Sequence, residues 1–148
     1  MIKINIINDY NSALSFKSKY INKYVQKIFK DKKKCLFSLS IILTNRDYLS
    51  LLKKKYFNLD HFTDVIAFNL ENKGEDVDGE IYISIDDVLE NAEIYKASFN
   101  HEFKRVLIHG ILHILGYNDI NKKDIKIMRG LEEKYLLNFN EEIIYLKC

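Results

Sequence analysis

Apolar and polar residues alternate from the start of the chain. Residues 2–8, IKINIIN, follow the two-residue period of a half-buried strand. Across residues 12–30, SALSFKSKYINKYVQKIFK, the period lengthens, and Phe16, Tyr20, Tyr24 and Ile28 recur at the spacing of one helix face. Residues 35–44, CLFSLSIILT, are rich in branched and aromatic side chains and predict a second strand. A helix over 45–57, NRDYLSLLKKKYF, is predicted next, with Asn45 as its N-cap and Asp47 in its first turn. Two further strands, TDVIAFNL (63–70) and GEIYISI (79–85), flank the polar, turn-like stretch ENKGEDVD. If both are central, Val65, Ala67, Ile81 and Ile83 alternate with their neighbours so that one sheet face meets a helix, and Asp64 sits at a strand end. From residue 86 the period is helical through 86–99, 100–116 and 122–139. Four strands with the helices weighted to the end predict an α+β fold: one domain spanning 1–148, with about four strands in a mixed sheet and four to five helices. Phe16, Tyr20, Tyr24 and Phe29 read as core packing within the first helix rather than as bases for stacking.

Composition agrees with a single core. The chain has 148 residues, 47% of them hydrophobic and 13% aromatic, enough for one globular domain that needs no staples. Its apolar runs fall well short of the ~20 residues of a membrane span, and MIKINIINDY lacks the layout of a signal peptide, so a soluble cytoplasmic protein is expected. Cys35 and Cys148 have no metal-ligand spacing and read as reduced bystanders. With 23 basic and 21 acidic residues the net charge is +2, which excludes a polycation built to coat nucleic acid. The lysine clusters at 30–34 and 53–55 read as solvated faces.

The chemistry concentrates in HGILHILGYND, residues 109–119. Four residues apart on a helix, His109 and His113 lie on one face and can direct both imidazoles at one ion. Gly116 can leave the helix with positive φ and turn the chain back. Asp119 then falls six residues beyond His113, the offset at which HExxHxxGxxH metalloproteases carry their third ligand. Those enzymes place a general-base Glu after the first histidine, where this chain has Gly110, so a metallopeptidase is disfavoured. Three protein ligands leave a fourth position open, as in catalytic zinc sites. The residues therefore point to metal-assisted hydrolysis of something other than peptides.

The same stretch closely resembles the HGxLHLxGYDH signature of the YbeY family, metal-dependent endoribonucleases of ribosomal RNA maturation and quality control. FTDVIAF resembles that family's PTDVLSF strand, GEIYIS its GDIxIS strand, and HEFKRVLIHG the approach to its metal helix. The resemblance implies one zinc ion on His109, His113 and Asp119, single-stranded RNA as substrate, and the ribosome or its small-subunit RNA as partner. Zinc there would activate water or hold a phosphate oxygen. The rival function is a ribosome-assembly RNA-binding factor with structural zinc and little catalysis.

Two departures from the family pattern bear on the site. The motif ends Asn118-Asp119 where the family usually has Asp then His, which makes the third ligand a carboxylate with Asn118 as its competitor. In KYFNLDHF, Phe57 stands where the family usually carries an arginine, a residue suited to holding a phosphate. Lys55 or His61 could compensate, though neither reproduces a guanidinium fork. Of Arg46, Arg105 and Arg129, Arg105 lies one turn before His109 and is the candidate phosphate contact. His101 and Glu102 lie two turns from His109, ~11 Å along the axis, and read as helix-terminal polar residues. No residue identifies itself as the general base.

Overall fold

The computed structural model describes residues 3–58, 63–70 and 77–147. His61, Cys148 and most of the turn-like stretch at 71–78 lie outside the described residues. The elements run β1 (Lys3–Asn8), β2 (Leu14–Phe16), α1 (Ser18–Asp31), β3 (Leu36–Thr44), α2 (Arg46–Phe57), β4 (Val65–Asn69), β5 (Val77–Ser84), α3 (Ile85–Ile94), α4 (Phe99–Ile114), α5 (Lys122–Asn138) and β6 (Ile144–Leu146). The fold is α+β. Four strands form a mixed sheet in the order β1-β3-β5-β4, parallel except for the antiparallel β4–β5 pair.

β4 and β5 pair Val65 with Ile83 and Ala67 with Ile81, the alternation expected of them, but only β5 is central: β4 is an edge strand of the sheet. On one sheet face, Val65 and Ile81 meet α4 so closely that a Cβ on Gly110 would lie 2.9 Å from Ile81 Cγ2 and 3.1 Å from Val65 Cγ2. That face belongs to the main core, which α1, α3, α4 and α5 close with Tyr24, Phe29, Phe103, Ile108 and Met128. On the other face Ile66 forms a smaller cluster with Leu49 and Leu52 of α2, bordered by Phe68 and Tyr82. Asn45 caps α2, its side chain accepting from the Tyr48 amide. Asp64 immediately precedes β4 and accepts from the Ser84 amide through its backbone carbonyl.

The structure corrects the sequence reading at three further elements. The helix expected from residue 12 begins at Ser18, because residues 14–16 form a short antiparallel ladder with β6, Phe16 opposite Ile144. Phe16 fits the helical spacing, yet its backbone is claimed by a partner far along the chain, and Tyr24 and Phe29 are buried as expected while Tyr24 stacks on Phe139 at 3.9 Å. The helix expected over 86–99 stops at Ile94, and Phe99 already opens the next helix. Lys96 takes a positive φ of 55° and ends α3, and Ser98 then caps α4 by accepting from the His101 amide. The last strand, β6, had no expectation attached to it.

Candidate metal centre

α4 is apolar on most of its surface, and the burial of Phe103, Val106, Leu107, Ile108, Ile111 and Leu112 fixes its rotation against the core. With that rotation set, His109 and His113 fall on the strip facing α5, half-buried. The helix ends in paired bonds, Tyr117 N–H to Leu112 O at 3.0 Å and Gly116 N–H to His113 O at 3.0 Å, around Gly116 at φ 99°. This is the Schellman geometry, and it requires a residue that tolerates the left-handed region. Through it the chain doubles back and delivers Asp119 to the histidines.

Nε2 of His109 lies 3.0 Å from Nε2 of His113 and 3.2 Å from Oδ2 of Asp119, and the last edge of the triangle, His113 Nε2 to Asp119 Oδ2, is 3.5 Å. Among the described residues, these three form the group of His, Cys, Asp and Glu that could hold a metal ion. A tetrahedral zinc with nitrogen and oxygen donors at ~2.0–2.1 Å holds them about 3.3 Å apart. The three observed edges bracket that value, so the donor set fits the ion. Asp119 remains 43% exposed, which leaves the fourth side of the cluster accessible.

Behind the cluster stands a support that the sequence reading missed. Glu132 on α5 accepts from His109 Nδ1 at 2.7 Å, which fixes the ring so that Nε2 presents its lone pair toward His113 and Asp119. Arg105 forks Glu102, Nε to Oε1 at 2.9 Å and Nη2 to Oε2 at 2.6 Å. The same guanidinium reaches Glu132 at 3.4 Å and Asp64 at 3.5 Å. Glu102 and Glu132 are 2% and 5% exposed, and a buried carboxylate demands such a partner. Glu102 lies in the first turn of α4, at the helix end as expected, and is buried there as the anchor of Arg105. Arg105 in turn is committed to three carboxylates. His101 stays exposed at the start of α4, away from the cluster.

These contacts move the two imidazoles in opposite directions. Burial pulls the His109 pKa down most strongly, but the Glu132 hydrogen bond and the charges of Glu132, Asp119 and Asp64 outweigh it, and the net shift is upward. For His113 burial again leads, the neighbouring His109 adds to it, and the pKa falls. Burial also raises the Asp64 carboxyl, against the pull of Arg105. The cluster thus concentrates negative charge around two nitrogen donors, which is the electrostatic demand a divalent cation answers.

Arg46 holds α2 to α3 through Asp87 at 2.9 Å and through Glu90. Arg129 is exposed and lines a cavity of about 240 Å³ with Arg105, His109, Asp119 and Glu132. It also borders a second cavity of about 410 Å³ that continues along α4 toward His101 and Tyr95. Phe57 is exposed at the end of α2, and Lys55 lies over Tyr56, its Nζ 5.2 Å from the ring centre.

Fold and donor set together define a single-domain α+β protein with a histidine–carboxylate cluster able to hold a metal. The family model for endoribonuclease YbeY matches residues 6–140. A protein of Christiangramia forsetii named endoribonuclease YbeY is 34% identical over 140 residues, covering 95% of this chain and 96% of its own length. One of the same name from Flavobacterium psychrophilum is 36% identical over 140 residues, covering 95% and 97%. The solution structure of a Thermotoga maritima protein superposes with a TM-score of 0.61 at 29% identity, over 92% of this chain and 88% of that one. The chain belongs to the YbeY endoribonuclease family.

Proposed function

We propose that this chain is a metal-dependent endoribonuclease of ribosomal RNA maturation, cutting single-stranded RNA of the small subunit in the cytoplasm with one zinc ion on His109, His113 and Asp119. The observation that carries the reading is the convergence of three ligand atoms within 3.0–3.5 Å beside an open cavity, in a chain that matches an endoribonuclease family over most of its length. A bound metal supplies Lewis acidity to the phosphodiester and to the attacking water. Glu132 holds His109 in the tautomer that can ligate, and Arg105 keeps Glu132 in place. Arg129, with no ion-pair partner among the described residues and set at the junction of both cavities, is the residue placed to hold a substrate phosphate. A peptidase is disfavoured by geometry as well as by sequence. The residue after the first histidine, Gly110, faces the sheet with no room for a glutamate.

Phe57 favours one alternative, an assembly factor that binds RNA around a structural metal, because it removes a guanidinium from the position where the family resemblance places one. Purified protein incubated with single-stranded RNA and, separately, with an unstructured protein, each with and without chelator, discriminates the readings. RNA cleavage abolished by chelator is the expected result. RNA binding without cleavage supports the assembly factor, and cleavage of the protein substrate supports the peptidase.

A further inference from the structure

The sheet face opposite the metal helix is only partly covered. α2 packs Leu49 and Leu52 onto Ile66 and leaves a chain of rings at the border of that cluster. Tyr48 lies 6.0 Å from Tyr82, Tyr82 5.8 Å from Phe68, and Phe68 5.4 Å and 5.7 Å from Tyr56 and Phe57. The last two rings are not sealed in by this packing: Tyr56 is 58% exposed and Phe57 44%. Phe57 stacks on Phe68 at an interplanar angle of 19°, and Nζ of Lys53 stands 5.3 Å from the Phe57 ring centre. Lys55 stands likewise 5.2 Å from the Tyr56 ring, and Lys54 between them is exposed. Glu80 stands opposite Phe68 in the β4–β5 ladder and hydrogen-bonds the Tyr82 side chain.

We infer that this surface, made by the last turns of α2 with β4 and β5, is a stacking platform for single-stranded RNA, with Tyr56 and Phe57 meeting bases and Lys53 and Lys55 meeting phosphates. The inference rests on the RNA reading above and extends it to a second contact, on the side of the sheet away from the metal. Sequence-tolerant binding of a single strand combines aromatic faces with cations that follow the backbone, and both are present here within one helical turn. An apolar protein partner fits less well, since the cores of protein interfaces are depleted in lysine and this patch is edged with it. Phe57 thereby acquires a role. At the position where the family resemblance places a phosphate-holding arginine, this chain offers a base-stacking ring.

The test is the affinity of a labelled, unstructured, mixed-sequence RNA for the full chain, measured by fluorescence anisotropy in the presence of chelator so that the strand stays intact. Tyr56→Leu and Phe57→Leu are expected to weaken binding roughly tenfold each, while Tyr56→Phe and Phe57→Tyr, which keep the rings, hold wild-type affinity. Lys53→Ala and Lys55→Ala are expected each to flatten the salt dependence of binding by about 0.7 in log–log slope. Thermal melts confirm that each variant is folded. If the leucine variants bind as wild type does, while metal-loaded wild-type protein cleaves RNA, the platform is refuted and the RNA reading stands. If wild type neither binds nor cleaves RNA, the reading beneath both fails. A wild-type dimer dispersed by the leucine variants at unchanged RNA affinity would assign the surface to a second copy of the chain and overturn the proposal.

Discussion

Asp119→Ala protein, purified with zinc present, is expected to retain little bound metal, whereas Asn118→Ala is expected to keep a full equivalent. Asp119 supplies one corner of a triangle whose edges are 3.0, 3.2 and 3.5 Å, and its loss leaves two imidazoles to hold the ion. Asn118 offers only a neutral amide oxygen at an exposed position, and zinc favours a charged oxygen donor. His109→Ala and His113→Ala should behave as Asp119→Ala does. Glu132→Gln should be milder. It leaves an acceptor for Nδ1 but removes the charge behind it, and lost supporting bonds of this kind weaken metal affinity about 10- to 100-fold. Metal analysis of the dialysed variants decides the matter, with circular dichroism showing that each is folded. Zinc retained in Asp119→Ala but stripped from Asn118→Ala would reassign the third ligand.

The second large effect is on stability. Gly110→Ala is expected to cost about 1–3 kcal/mol, because the new methyl must push Ile81 or Val65 aside in a packed core. The change also moves the helix turn between the two histidines, so the metal affinity of this variant should fall as well. Gly130→Ala provides the opposite control. It lies inside α5 with nothing within 4 Å of its Cβ position, and alanine there should stabilise by up to about 1 kcal/mol. Urea unfolding of the three proteins with metal removed would show the sign of each change. Equal stability of Gly110→Ala and wild type would mean that α4 and the sheet are not as closely apposed as described.

What could be read from the sequence was what is local. The proposed ligands occupy one helix and the turn after it, so helical spacing and the need for a left-handed residue at Gly116 are visible without knowledge of the fold. The buried face of β4 and β5 was legible for a similar reason, since alternation over Val65, Ala67, Ile81 and Ile83 encodes it, whereas the edge position of β4 depends on which strands pair and was not. Glu132 was not legible. It lies 23 residues beyond His109, and nothing along the chain marks one glutamate of α5 as the buried acceptor. The inward commitment of Arg105 was hidden likewise, because it depends on Asp64 and Glu132 arriving from two other elements. The β2–β6 ladder joins residues near the two ends of the chain, and a local helical period at Phe16 obscured it. The break at Lys96 carries no glycine to announce it, since an ordinary side chain there takes a positive φ.

The central claim is that RNA cleavage depends on one metal ion at His109, His113 and Asp119. Its most direct test is the rate of single-stranded RNA cleavage as zinc is titrated into chelator-stripped protein, alongside the same titration of Asp119→Ala. For wild type the rate should climb from near zero and level off at one equivalent of zinc, and for Asp119→Ala it should stay flat across the same range. Cleavage that proceeds equally in stripped protein, or a response to zinc that Asp119→Ala shares in full, would contradict the claim.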